Sequence, residues 1–146
     1  MDRQCEERAC FLRRALMGNA LFSILSGLTI LFAKGWVLRV LGLSNKVSLL
    51  VVGVALIVFA ATLVINARKQ KVNMSDAWMA VWMDVAWVIG SYVLIIVGPF
   101  STEGKWVVGV VAELVFVFAV LQFLGIRRIQ KSEQFGRVEQ RHSWTA

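Results

Sequence analysis

The chain holds one proline, Pro99, one histidine, His142, and two cysteines, Cys5 and Cys10. Each scarcity removes a class of protein. No long apolar stretch contains histidine, which excludes a bis-histidine haem or copper site within those stretches. Cys5 and Cys10 form a Cys-x4-Cys pair with no further cysteine and no histidine nearby, a poor metal site, so no metal and no cofactor is expected. No apolar stretch carries a thiol for quinone-linked disulfide chemistry. The H-E-x-x-H and G-x-S-x-G motifs and an intramembrane Ser–Lys pairing are missing, and an enzyme is not expected. Acidic residues are few, 9 against 16 basic ones, and only Asp84 and Glu113 interrupt the long apolar runs.

Apolar sequence is what the chain has in quantity: 58% of its residues are hydrophobic and 17% charged. A helix needs roughly 20 mostly apolar residues to cross a hydrocarbon core of ~30 Å. Residues 15–33, 47–67, 77–98 and 105–126 each meet that length. The expected fold is all-α, a four-transmembrane-helix bundle forming one membrane domain over residues 1–131. A cytoplasmic tail, 132–146, is expected to be mobile. The first span is too long for the apolar core of a signal peptide, and Lys34-Gly35-Trp36 follows it instead of a small-residue cleavage site.

The basic residues sort by side. Arg3, Arg8, Arg13 and Arg14 precede the first span, Arg68, Lys69 and Lys71 lie in the second loop, and Arg127, Arg128, Lys131, Arg137 and Arg141 follow the fourth span. The other two loops hold only Lys34, Arg39, Lys46 and Lys105. The positive-inside bias therefore places both termini in the cytoplasm. The net charge of +7 reads as a topology signal and as attraction to anionic lipid headgroups, not as nucleic-acid binding. Cys5 and Cys10, in the cytoplasmic tail, are expected to stay reduced.

Between the spans, residues 3–14 are expected to be helical and to run straight into the first span. Trp36, Val37, Val40 and Leu41 fall at helical spacing, which predicts a short interfacial helix in the first loop. Ser75 is a candidate cap for the third span with Asp76 at its positive end, and Gly98-Pro99 ends that span. Trp78 and Trp82 near one boundary, and Trp36 and Trp106 near the other, read as interfacial belts.

The two halves align. Setting Asn19 against Asp84 matches Phe22 with Trp87, Ile24 with Ile89, Ser26 with Ser91 and Ile30 with Ile95. Setting Phe59-Ala60 against Phe118-Ala119 brings Arg68 onto Arg127. These matches raise a tandem repeat of two helical hairpins, with a pseudo-two-fold along the membrane normal.

A charge at bilayer centre costs ~2.5–3.5 kcal/mol on insertion scales, so Asp84 and Glu113 should face the bundle interior and find partners. Asp84, Trp87, Val88, Ser91 and Ile95 share one stripe of the third span, while Trp78 and Trp82 point away from it. Asn19, Phe22, Ser23, Ser26 and Ile30 form the matching stripe of the first span. Asn19 lies at nearly the depth of Asp84, and a hydrogen bond between them is expected. Glu113 enters from the opposite side with Gly109, Phe116, Val117 and Val120 on its stripe, and Gln122 falls on the reverse face. The candidate site is thus Asn19, Ser23, Ser26, Asp84, Trp87, Ser91 and Glu113. One reading makes it a pocket or proton-linked path for a small or lipophilic solute. The other makes it polar glue between helices.

Asn19-Ala20-Leu21-Phe22-Ser23 with Ser26-Gly27, the string Asp84-Val85-Ala86-Trp87-Val88-Ile89-Gly90-Ser91, and Phe118-Ala119-Val120-Leu121-Gln122 before Gly125-Ile126-Arg127-Arg128 resemble a group of small bacterial inner-membrane proteins. The resemblance runs from about Arg14 to Arg128. It implies four membrane helices in a bacterial inner (plasma) membrane, and it implies no activity. Small multidrug-resistance transporters share the length and span count but carry their essential glutamate in the first helix, where this chain has Asn19. The expected partners are the lipid bilayer, a small or lipophilic solute, and either further copies of the chain or a larger membrane complex in which it serves as a non-catalytic accessory subunit.

Overall fold

A computed structural model describes residues 2–42, 46–69 and 72–143. Among the described residues the chain is all-helical, with α1 (Asp2–Phe32), α2 (Lys34–Leu41), α3 (Lys46–Arg68), α4 (Met74–Val97) and α5 (Thr102–Ser143). Four segments are long and apolar enough to cross a membrane: Ala9–Phe32, Val47–Arg68, Met74–Val97 and Thr102–Lys131. By length and composition this is a multi-pass membrane protein. The outward surface agrees with a lipid environment, since Phe32, Ile96, Val97 and Trp106 are each more than 70% exposed.

The helix ends follow local chemistry, with one shift from expectation. Asn73, not Ser75, caps α4, and its side chain accepts a hydrogen bond from the Ser75 N–H at 3.0 Å. Asp76 occupies the first turn, where the helix dipole favours it. The side chain of Asn66 clamps the same turn, accepting from the Asn73 N–H at 2.9 Å and donating to the Asn73 carbonyl at 3.3 Å. α4 stops at Val97, before Gly98-Pro99. The short helix expected in the first loop is present as α2. It closes on Gly42 at φ 70, a left-handed conformation that a residue with a Cβ adopts only under strain. The tail differs from expectation: α5 continues as helix to Ser143, and residues 144–146 lie outside the described ones. Cys10 is an exposed free thiol, whereas the side chain of Cys5 is outside the described residues.

α1 packs closely on α3 and α4 closely on α5; α1 and α5 join the two hairpins, while α3 and α4 barely meet. α1 and α4 therefore stand diagonally across the bundle. The tight seams are lined by small side chains, as membrane interfaces require: Ala15, Ala20, Ala60, Ala67, Ala77, Ala80, Ala112 and Ala119 are all buried. A Cβ on Gly27 would stand 2.9 Å from the Gly53 carbonyl oxygen, so α1 and α3 are in backbone contact there.

The apolar core lies towards one end. Leu12, Leu16 and Ala20 of α1 meet Ala60, Leu63 and Ala67 of α3, Ala77, Ala80 and Val81 of α4, and Ile126 and Ile129 of α5. Basic residues gather at the same end. A guanidinium nitrogen of Arg13 donates to the Lys69 carbonyl at 2.7 Å, Arg127 lies over the Phe123 ring and Arg128 over the Phe11 ring. Trp78 belongs to this core and meets Phe123 edge-on, so it does not point away as its place in the stripe predicted. Trp82 does, at 68% exposure.

Candidate functional site

The polar side chains begin where the apolar core stops. On α1 the buried positions Leu12, Leu16, Asn19 and Ser23 follow one another at spacings of three and four, so Asn19 and Ser23 continue the core face. Asp84 does the same on α4, following Ala77, Ala80 and Val81. On α5 the buried row is Ala112, Val115, Ala119, Gln122, Ile126 and Ile129. Three helices thus each send one polar side chain to a common point.

At that point Asp84 is 2% exposed, Asn19 1% and Gln122 not at all. The Asn19 amide nitrogen donates to Asp84 Oδ2 at 2.7 Å, and the Gln122 amide nitrogen donates to the same oxygen at 2.9 Å. The expected Asn19–Asp84 hydrogen bond is therefore present. Both donors converge on Oδ2, which leaves Asp84 Oδ1 without a protein donor among the described residues. The carbonyl oxygens of the two amides, Asn19 Oδ1 and Gln122 Oε1, are also buried without a hydrogen-bond partner among the described residues. A buried polar atom left unpaired costs about 1–3 kcal/mol, so this cluster holds more acceptors than it satisfies.

Next to the cluster lies a cavity of about 100 Å³. Asn19, Ser23, Ser26 and Asp84 supply its polar wall, and Phe22, Ala55, Leu56, Phe59, Met83, Trp87, Val111 and Val115 the rest. It is larger than a single water needs. No lining residue is basic. Among the described residues no three His, Cys, Asp or Glu side chains gather as a metal cluster would. The cavity can accept hydrogen bonds at Asp84, Asn19 and the two serines and donate them from the serines and Trp87, and its one carboxyl can balance one positive charge.

The structure brings Asn19, Ser23, Ser26, Asp84 and Trp87 together around this cavity. Ser91 is buried on the same face of α4, two turns further along, and does not line it. Glu113 is elsewhere. Its expected inward stripe faces out: Phe116 and Val117 are about half exposed, and Glu113 itself is exposed. It accepts a hydrogen bond from the Tyr92 hydroxyl on the outer surface, beside a shallow groove that includes Trp106 and Gly109.

Gln122 is the member of this cluster that the sequence reading missed. Expected on the face of its helix opposite Glu113, and so away from the bundle interior, it is fully buried. A signal was present: counting back from Ile126 through Gln122, Ala119, Val115 and Ala112 gives the alternating spacing of a packed helix seam. Nearly every neighbouring position is apolar too, which hid it.

No family model, curated protein or solved structure matches the chain. Function has to be read from the chemistry of the site.

Proposed function

We propose that this is a small integral protein of the bacterial inner membrane, both termini cytoplasmic, that binds or translocates a small or lipophilic solute at the cavity beside Asp84. One observation carries the reading: a buried carboxyl, held by two amides on one oxygen and without a donor on the other among the described residues, lines a cavity together with Asn19, whose own amide oxygen is unpaired there. Polar glue alone has no use for unsatisfied acceptors or for empty space beside them, because hydrogen bonding between helices pays only when the groups are paired. The site consists of Asn19, Ser23, Ser26, Asp84 and Trp87, with Gln122 positioning Asp84 from behind. Ser91 and Glu113 are left out of it. A parallel duplication is supported by the pairing of α1 with α3 and of α4 with α5, and by the aligned residues Asn19 and Asp84 facing each other. The test is a growth or efflux assay with a panel of lipophilic solutes. A resistance or export phenotype that is lost in Asp84→Asn, at unchanged protein level, supports the reading; a phenotype indifferent to that change removes it.

A second reading rests on a different observation. Glu113 and Tyr92 form a polar pair on the outer surface, where lipid contact is costly and another membrane chain would cover it. In that reading the protein is a non-catalytic accessory subunit of a larger complex or a homo-oligomer. Co-purification of a stoichiometric partner that is lost in Glu113→Leu and retained in Asp84→Asn would favour it.

A further inference from the structure

We infer that the Asp84 cavity opens sideways to the bilayer through the seam between α3 and α4, and that it takes the amino head of a single-chain lipophilic amine whose tail lies in that seam. The inference rests on the proposed binding role of the Asp84 site and adds a route and a ligand class.

The route follows from packing. α3 leans on α1 and α4 on α5, so the two helices joined by the Asn66–Asn73 clamp diverge and leave a gap between them. In that gap lies an apolar groove of about 570 Å³, lined along α3 by Leu50, Val51, Val54 and Val58 and closed on the α4 side by Met83. Ala55, Phe59 and Met83 line both this groove and the inner cavity. Those three side chains are the shared wall, and two of them, Phe59 and Met83, can swing aside by rotation about side-chain bonds. From Leu50 to Phe59 the groove follows α3 for roughly 13 Å at 1.5 Å per residue, the reach of a single alkyl chain.

The head group follows from the acceptors. Asp84 Oδ1 and Asn19 Oδ1 have no donor among the described residues, and no basic residue lines the cavity. An anionic head could take donors from Ser23, Ser26 and Trp87, but it would lie beside the Asp84 carboxyl with no basic residue to balance its charge. A hydroxyl brings one donor. An ammonium brings three donors and the positive charge that the lining lacks. The outer groove offers the tail almost no polar surface, so the ligand is amphiphilic, with its charge at one end.

The experiment uses the full chain in lipid nanodiscs and a dodecylamine bearing a diazirine on its tail, with labelled residues mapped by mass spectrometry. Label is expected on Val51, Val54, Val58 and Met83. Excess dodecylamine should compete it away and dodecanoic acid should not. Asp84→Asn should weaken apparent affinity by about tenfold or more, the scale of one lost charge-assisted hydrogen bond. Ala55→Trp, which fills the shared wall from α3 and leaves every residue of the polar cluster unchanged, should do the same. Label scattered over the outer faces of α1 or α5, or equal competition by dodecanoic acid, overturns the inference, and neither result depends on how a variant folds. Propylamine, which has no tail, separates the two levels of the proposal. If it raises the melting temperature of the wild type but not of Asp84→Asn, while dodecylamine label avoids the seam, the cavity stands and the route falls. If neither amine shows any dependence on Asp84, the site itself is wrong.

Discussion

Asn19 and Asp84 hydrogen-bond across two helices whose backbones stay apart. The 2.7 Å hydrogen bond spans the diagonal between α1 and α4, whose backbones come close nowhere among the described residues. Gln122 reaches the same oxygen from α5, so one carboxyl ties three helices together. Asn19→Ala should then destabilise the bundle by about 1–2 kcal/mol, near the upper range of polar contacts inside membranes. Asp84→Asn should cost less, because its amide oxygen still accepts from both donors. Melting of the detergent-solubilised variants checks the order. An Asn19→Ala protein as stable as wild type would show that the bond contributes nothing.

Close helix contact makes a second, independent prediction. At Gly27 an added methyl meets the Gly53 carbonyl oxygen and Ile57 Cγ1, both at 2.9 Å, whereas at Gly90 it meets nothing within 4 Å. Backbone cannot yield as a flexible side chain can. Gly27→Ala should therefore cost on the order of 1–3 kcal/mol by overpacking the α1–α3 seam. Gly90→Ala should be neutral or stabilising by about 0.5–1 kcal/mol, since alanine restricts the unfolded chain more than glycine. Equal melting temperatures for the two variants would contradict the seam geometry.

These contrasts mark what the sequence disclosed. The number of long apolar helices, the short helix of the first loop and the Asn19–Asp84 bond follow from hydropathy, amphipathic spacing and matched depth, each a property of one or two segments taken alone. The orientation of α5 does not. In a helix that is apolar all round, the lipid-facing side is as hydrophobic as the buried one, and periodicity no longer tells inside from outside. Glu113 was placed inward on the principle that a membrane carboxyl avoids lipid, but it finds a hydroxyl partner in Tyr92 on the outer surface. The clue lay in side-chain size: the buried row of α5 carries Ala112 and Ala119, whereas the outward one carries Phe116 and Val117. The length of α5 was hidden for a different reason, because residues 132–146 have little hydrophobic periodicity to announce a helix.

Ser101 secures the short helix at the other end of the bundle. Its hydroxyl donates to the Val40 carbonyl at 2.6 Å and accepts from the Gly104 N–H at 3.0 Å, while its own N–H reaches the Leu41 carbonyl at 3.1 Å. One side chain thus ends α2 and begins α5. Ser101→Ala keeps the backbone bond and loses both hydroxyl bonds, at a cost of about 1 kcal/mol for each bond that water does not replace. Amide hydrogen exchange should rise around Leu38–Gly42 and stay unchanged at the Asp84 cluster. Unchanged protection in α2 would mean that Leu38, which is buried, holds the helix by packing alone.

Orientation in the membrane is the remaining consequence of charge. The first residues of α1, the α3–α4 turn and the exit of α5 share one end of the bundle, where Arg13 binds the Lys69 carbonyl and Arg128 lies over Phe11. These basic groups sit within a turn or two of the apolar spans, where the positive-inside bias is strongest. The opposite end carries the exposed Trp36 and Trp106 and fewer basic residues. A reporter enzyme that is active only in the periplasm should therefore stay silent when fused after Ala146, and become active when fused after Phe100 in a truncated chain. The charge argument also predicts what reverses the result. Replacing Arg68, Lys69 and Lys71 together removes the bias of the middle loop alone, and the tails should still hold the termini inside. Moving basic residues into the Gly98–Ser101 loop while neutralising Arg13 and Arg14 sets the two ends against each other, and a mixed population of orientations is expected. Activity of the unaltered chain fused after Ala146 would overturn the assignment, because nothing but the basic residues supports it.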